Sequence, residues 1–216
     1  MNPETESIRF AILATDIVCF RVLNNELYTL VSKAKEGSPF AGKWVLIGGL
    51  IYPKETAEES VSRLLLDKAG ISEIYKEQLY TFSDIDRDPR GRVVSVAYIS
   101  LCSDDPQKSF KNSVETKWVP FNSLPDLGYD HDQICKQAIE KLRLQIGNTD
   151  IARYLLPSEF TLSELQNIHQ AVMSEKLDKR NFRKKILGLG ILKDTKKTRK
   201  SGVMRPAAIY TFLNKR

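Results

Sequence analysis

The sequence predicts an α+β protein in two unequal parts, a larger front part of strands and helices followed by a small winged helix-turn-helix. Three observations carry this expectation. Along the front part, short β-branched and apolar runs alternate with segments of helical period. Charge divides at the same place: residues 151–216 hold 15 Lys and Arg against five Asp and Glu, whereas residues 1–150 hold 18 against 22. The rear part then reads as a capped helix, a second capped helix with a basic face, and two short strands around a basic turn.

In the front part, Ile8 to Phe20 and Glu26 to Ser32 flank Asn24-Asn25 and read as a hairpin. Lys43 to Ile47 is a short strand expected to stop at Gly48-Gly49. From Glu55 to Ala69 the apolar residues Ala57, Val61, Leu64, Leu65 and Ala69 recur at helical spacing, with Gly70 as a left-handed stop. Glu77 to Phe82 and Val93 to Leu101 read as strands around the loop Ser83 to Arg92, which is too charged to be core. Thr116 to Val119 is a brief strand, Pro120 to Tyr129 an irregular loop, and Asp130 to Leu144 a helix. Gly147 to Asp150 breaks that helix. The expected division is therefore residues 1–147, a linker at 148–156, and a rear domain at 157–216.

The rear helices are specified by their caps. Thr161 and Glu164 form a capping box, and Phe160 and Leu165 occupy the positions of a hydrophobic staple. Leu165, Ile168 and Val172 form a buried stripe. Asp178 is placed to cap a second helix, Lys179 to Leu187, with Phe182, Ile186 and Leu189 facing inward. Its outer side carries Lys179, Arg180, Asn181, Arg183 and Lys184, the pattern of a recognition helix whose first turns reach base edges. Ile191 to Lys193 and Met204 to Leu213 read as wing strands, with Lys196, Lys197, Arg199 and Lys200 at the turn to neutralise phosphates. A solvated basic appendage and a protein-interaction module are the other readings of such a block.

Other classes are disfavoured. The start of the chain is polar and acidic, unlike a secretory signal, and the run Val93 to Cys102 is far shorter than the ~20 residues of a spanning helix. Cys19, Cys102 and Cys135 are widely spaced and odd in number, with no close pair for zinc or redox chemistry, which fits a reducing cytoplasm.

One constellation carries chemistry. Phe40-Ala-Gly-Lys-Trp44, Leu46-Ile-Gly-Gly49, Glu55, Arg63, Gly70 and Ile71 follow the spacing of the Nudix box, so the front part resembles the Nudix family. That resemblance implies an α/β/α sandwich with a mixed sheet, whose box helix offers carboxylates to Mg²⁺ and a diphosphate. At the three positions where the family has glutamates, this chain has Leu64, Asp67 and Lys68. Residues three and four apart share a helix face, and leucine and an ammonium cannot ligate Mg²⁺, so ordinary hydrolysis is not expected and no metal cofactor is required. Glu55, Glu58 and Glu59 sit at the helix start, where acids suit the dipole in any case. The residual metal candidates are Glu55, Glu59 and Asp67. Lys68 either replaces the metal's charge on a diphosphate or is a plain surface lysine.

The loop Asp84-Ile-Asp-Arg-Asp-Pro-Arg-Gly-Arg92 resembles a segment of Nudix regulators, and its arginines either hold phosphate bidentately or pair with the neighbouring aspartates. His131, just inside a helix with Asp130 as the expected cap, is assigned no chemistry. The expected ligand-binding set is Lys33, Trp44, Gly48, Gly49, Lys68, Arg87, Arg90 and Arg92. The rear part resembles the winged helix of NrtR-type regulators. Together the two resemblances imply a homodimeric regulator of palindromic double-stranded DNA that responds to ADP-ribose, a related nicotinamide metabolite or a sugar. The alternative is an active Nudix pyrophosphohydrolase with a basic accessory domain.

Overall fold

In the computed structural model, which describes residues 10–72, 75–103, 114–200 and 206–213, the chain opens with a hairpin of β1 (Ile12–Leu23) and β2 (Glu26–Lys33). Asn24 and Asn25 both take positive φ, 50° and 63°, the conformation of a tight hairpin turn whose twist matches its strands. With β3 (Trp44–Leu50), β4 (Tyr75–Phe82), β5 (Val93–Leu101) and β6 (Thr116–Pro120) they form a six-stranded sheet in the order β4-β5-β1-β3-β2-β6. β1 and β5 run parallel and the other neighbours antiparallel, so the sheet is mixed as expected.

One helix covers each face. Helix α1 (Ala57–Ala69) is entered through a capping box of Thr56 and Glu59 and ends at Gly70, whose φ of 68° is the left-handed cap expected of it. Val61, Leu64 and Leu65 of α1 pack on Ile17, Cys19 and Ile47. On the other face, Ile134, Ala138 and Leu142 of α2 (His131–Ile146) join Val18, Phe20, Leu46 and Ile99. Helices on both faces make the α/β/α sandwich.

The rear part consists of β7 (Phe160–Thr161), α3 (Leu162–Met173), α4 (Lys179–Gly188), β8 (Leu192–Arg199) and β9 (Ala207–Phe212), with a three-stranded sheet in the order β7-β9-β8. Both anticipated caps form: the Thr161–Glu164 box on α3, and the Asp178 carboxylate accepting the Asn181 amide at 2.8 Å on α4. This is a winged helix. It does not sit on a loose tether, because Ile151–Leu155 coils as a 3-10 helix and buries Ile151, Ala152 and Leu155 in the cluster that holds both α2 and α3. Arg143 of α2 fastens the two further by donating to the Val172 carbonyl at 3.0 Å.

Four expectations are corrected. β3 does not stop at Gly48 and Gly49 but runs through them to Leu50. The glycines serve close approach instead: a Cβ on Gly48 would meet the Asp16 carboxylate and lie 2.9 Å from the Thr15 carbonyl, and one on Gly49 would lie 2.8 Å from Leu64. Asp130 does not cap α2 with its side chain, having another partner described below. Leu189 is exposed rather than inward, since α4 ends at Gly188 and leaves it outside the helical stripe. In the wing, β8 is longer than expected and takes Lys196, Lys197 and Arg199 into the strand, which leaves only Lys200 beyond its end; part of the expected second strand, 204 and 205, lies outside the described residues.

Gly48→Ala should lower stability by about 1–3 kcal/mol in chemical denaturation, because the added methyl is forced against backbone and carboxylate. Gly188→Ala is its control, with open space around the Cβ position, and should be neutral or stabilising by roughly 0.5 kcal/mol.

Candidate functional site

The pocket face of β1 and β3 opens into a cavity of about 370 Å³. Its lining combines polar side chains with apolar ones such as Ile12, Leu50 and Val93. The organising group is Asp16, a buried acid in the middle of the largely apolar strand β1. Its Oδ2 accepts from Ser95 Oγ at 2.7 Å and from Arg87 Nη2 at 3.1 Å, and His131 Nε2 lies 3.3 Å from its Oδ1. His131 Nδ1 accepts the Leu46 amide at 2.9 Å, so the network places the imidazole proton on Nε2, facing Asp16. Arg87 also grips Asp130 with two bonds, at 2.9 and 2.7 Å. Burial pushes the Asp16 carboxyl up, but His131, the Ser95 hydroxyl and the Arg87 guanidinium outweigh it and hold the group well below the usual carboxylate range.

The loop Ser83 to Arg92 is therefore not wholly outside the core. Arg87 and Asp88 are buried, which composition did not reveal because the two carboxylates that make Arg87's burial tolerable lie 71 and 43 positions away. Of the other loop arginines, Arg90 pairs with Asp88 at 2.6 Å on the cavity wall, while Arg92 donates to the Ser83 and Asp84 carbonyls and does not line the cavity.

α1 presents its altered box residues in three directions. Leu64 is buried against Gly49, Asp67 is exposed, and Lys68 extends into the cavity with its ammonium on the Gly48 carbonyl. Burial and the neighbouring charge of Lys35 lower the Lys68 pKa. Glu55 is committed to Arg63, with bonds of 2.8 and 2.5 Å, and to the Tyr52 amide at 2.8 Å. Glu59 is committed to the Thr56 capping box. Among the described residues, no three His, Cys, Asp or Glu side chains gather as a metal-holding group. These residues do not fit the divalent ion of the Nudix box: two of the three box positions expected to supply its carboxylates hold a leucine and a lysine, and the acids at the helix start are otherwise engaged.

What the cavity offers is cations. Lys33, Lys35 and Lys68 line it beyond the internally paired Arg87 and Arg90, leaving a surplus of positive charge for an anionic ligand. Lys33 also lies over the Trp44 ring, 4.5 Å from its centroid, with Lys117 at 3.9 Å; Trp44 itself does not line the cavity. Asp16, Lys35, Ser38, Tyr129 and His131 were missed by the sequence reading, and only Asp16 carried a signal, as a charge amid apolar strand residues.

On the winged helix, Lys179, Arg180, Asn181, Arg183 and Lys184 are all exposed along α4, while Phe182 and Ile186 hold it to the core. Lys179 and Arg183 edge a groove of about 460 Å³ shared with Thr161 and Ser163 at the start of α3. The wing cations differ among themselves. Lys197 pairs with Glu159 at 2.6 Å and Arg199 with Glu164 at 2.8 Å, Lys196 leans on Asp194 of its own strand, and Lys200 is exposed at the strand end. Such exposed pairs are weak enough to exchange for phosphate.

Fold and sites thus define a two-domain chain, a sandwich with a cation-lined cavity joined to a winged helix with a bare basic helix. Family models agree: residues 13–138 match the NUDIX domain, and residues 152–212 match the NrtR DNA-binding winged helix domain. The ADPR responsive transcriptional repressor NtrR of Acinetobacter baylyi is 30% identical over 206 residues, 93% of this chain and 82% of that protein. The crystal structure of Shewanella oneidensis NrtR with a 27mer DNA superposes with a TM-score of 0.81 at 31% identity, covering 93% of each chain. The NUDIX domain of the same Shewanella protein in complex with ADP ribose matches at 33% identity and a TM-score of 0.57, over 66% of this chain and 94% of that one. The chain belongs to the NrtR family, in which a Nudix domain precedes a winged helix.

Replacing Asp16 should expose the buried network. Asp16→Asn leaves Arg87 short of a counter-charge and should cost about 3 kcal/mol at neutral pH. Because the folded-state pKa lies below the ordinary 3.8, the carboxylate's contribution is complete above about pH 4 and is lost as pH falls toward the folded value. Denaturation of wild type and variant across pH 2.5–7 should therefore show a gap that narrows only below about pH 4; a gap independent of pH would contradict the assignment.

Proposed function

We propose that this protein is an effector-responsive transcriptional regulator: its sandwich domain binds ADP-ribose or a closely related nucleotide or sugar, and its winged helix binds double-stranded DNA. The observation that carries the reading is Lys68, which puts an ammonium in the cavity where the family's hydrolases need a carboxylate. The effector's diphosphate is held by protein cations, no metal ion is required, and hydrolysis is inefficient. The repressor named for A. baylyi and the ADP ribose complex of the Shewanella domain support the choice of effector.

The exposed face of α4 enters the major groove, with Lys200 and the wing on the backbone. The protein acts as a homodimer on a palindromic operator, since a two-fold protein matches two-fold DNA. No helix of the described residues is long and apolar enough to cross a membrane, and three free, buried cysteines support a cytoplasmic setting.

Two measurements check this. Selection of genomic fragments by the purified protein should enrich one palindromic sequence, whose affinity falls about 10³-fold or more between 50 and 200 mM salt; recovery of random fragments would contradict specific regulation. In calorimetry, Lys68→Ala should weaken ADP-ribose binding about tenfold, as loss of a charge-assisted contact does, while Asp67→Ala leaves it unchanged. Rapid release of AMP from ADP-ribose at millimolar Mg²⁺ would instead favour a hydrolase.

A further inference from the structure

The cavity and the winged helix are joined by one rigid element. The three consecutive residues at the head of α2 all belong to the cavity wall or its support. Tyr129 lines the cavity with φ at 61°, a conformation rare for a tyrosine, and is held there by Phe40, 4.5 Å between ring centroids, and by Ser38 Oγ, 3.1 Å from its hydroxyl. Asp130 is bound by Arg87, and His131 by Leu46. About 24 Å along the 16-residue helix, its tail reaches the DNA-binding part. There Arg143 donates to the Val172 carbonyl in the last turn of α3, with Ser174 Oγ at 3.4 Å, and Leu142 and Ile146 share a cluster with Leu165, Ile168 and Val172.

The head has two uses for one carboxylate. Asp130 occupies the N-cap position of α2, yet its side chain caps nothing because Arg87 holds it. Arg87 in turn lines the cavity, so an anionic ligand competes with Asp130 for the guanidinium. A carboxylate released from Arg87 finds the amides of the first turn of α2, where the Gln133 N–H otherwise donates to Asp130's own carbonyl at 3.0 Å, and the positive end of its dipole. Ligand binding then favours one of two arrangements of the helix head, which is the differential interaction that a coupled change requires.

We propose that α2 carries effector binding to the DNA-binding domain, with Asp130 alternating between Arg87 and the helix N-terminus at its head and Arg143 transmitting the change to α3 at its tail. This rests on the effector-responsive reading above, and the experiment separates the two. For full-length wild type, Arg143→Ala, Arg143→Lys and Asp130→Asn, ADP-ribose affinity is measured by calorimetry. Affinity for the selected operator fragment is measured with and without saturating ADP-ribose, and thermal melting reports folding.

Wild type should change its DNA affinity about fivefold or more on adding ADP-ribose. Arg143, which touches neither the cavity nor the exposed face of α4, should when replaced by alanine keep ADP-ribose affinity within about twofold while the change in DNA affinity falls below about twofold; lysine should restore part of it. Asp130→Asn, freed from the ionic grip of Arg87 and still a good cap, should show without effector a DNA affinity already moved toward the effector-bound value. A wild type without any response would overturn the regulator reading and this inference together. A responsive wild type with full responses in Arg143→Ala and Asp130→Asn would overturn this inference alone, and if Arg143→Ala does not fold, an unshifted Asp130→Asn does so.

Discussion

The proposed function of the front domain depends on a single ammonium group. Lys68 extends from the box helix into the cavity and rests on the Gly48 carbonyl, from a box position at which a carboxylate was expected. A cation there repels a second cation and attracts a phosphate, which is the physical ground for the proposal that this cavity binds its effector without a metal ion. The neighbouring substitutions point the same way. Leu64 fills the space over Gly49 and joins the apolar cluster beneath α1, Glu59 is used in the capping box, and Glu55 is paired with Arg63.

The cavity keeps its shape because of a second, buried set of charges. Asp16, Ser95, Arg87, Asp130 and His131 satisfy one another along the cavity wall, and Gly48 is a glycine because the Asp16 carboxylate occupies the space a side chain would need. Networks of this kind contribute little net stability but are costly to break at one point. They also tie distant parts of the chain together: β1, the loop before β5 and the head of α2 meet at one guanidinium. The winged helix is drawn into the same body through the packed 3-10 turn at Ile151–Leu155.

Features that depend on near neighbours were legible in the sequence. Asn24-Asn25 as a hairpin turn, Gly70 as a left-handed stop, the Thr161–Glu164 box and the Asp178 cap each involve residues within a few positions, and local geometry alone dictates them. The box spacing announced the sandwich and the replaced carboxylates at Leu64 and Lys68, but the shared helix face expected of Leu64, Asp67 and Lys68 divides, with Leu64 buried, Asp67 exposed and Lys68 in the cavity. The same local logic misled where a distant partner competes. Asp130 was expected to cap its own helix, but a bidentate arginine from another loop outbids a neutral amide. Gly48 and Gly49 suggested a strand end, since nothing nearby in sequence announces Asp16 and Leu64 pressing on them. Arg87 and Arg92 were indistinguishable in a charged loop, although one is buried and the other closes the loop from outside.

The central claim is that protein cations, not a metal ion, hold the effector's diphosphate. It is tested most directly by titrating the full-length protein with ADP-ribose in the presence of a chelator and again at millimolar Mg²⁺. The account predicts the same affinity and stoichiometry in both. Binding that vanishes with chelator and returns with Mg²⁺ would contradict it.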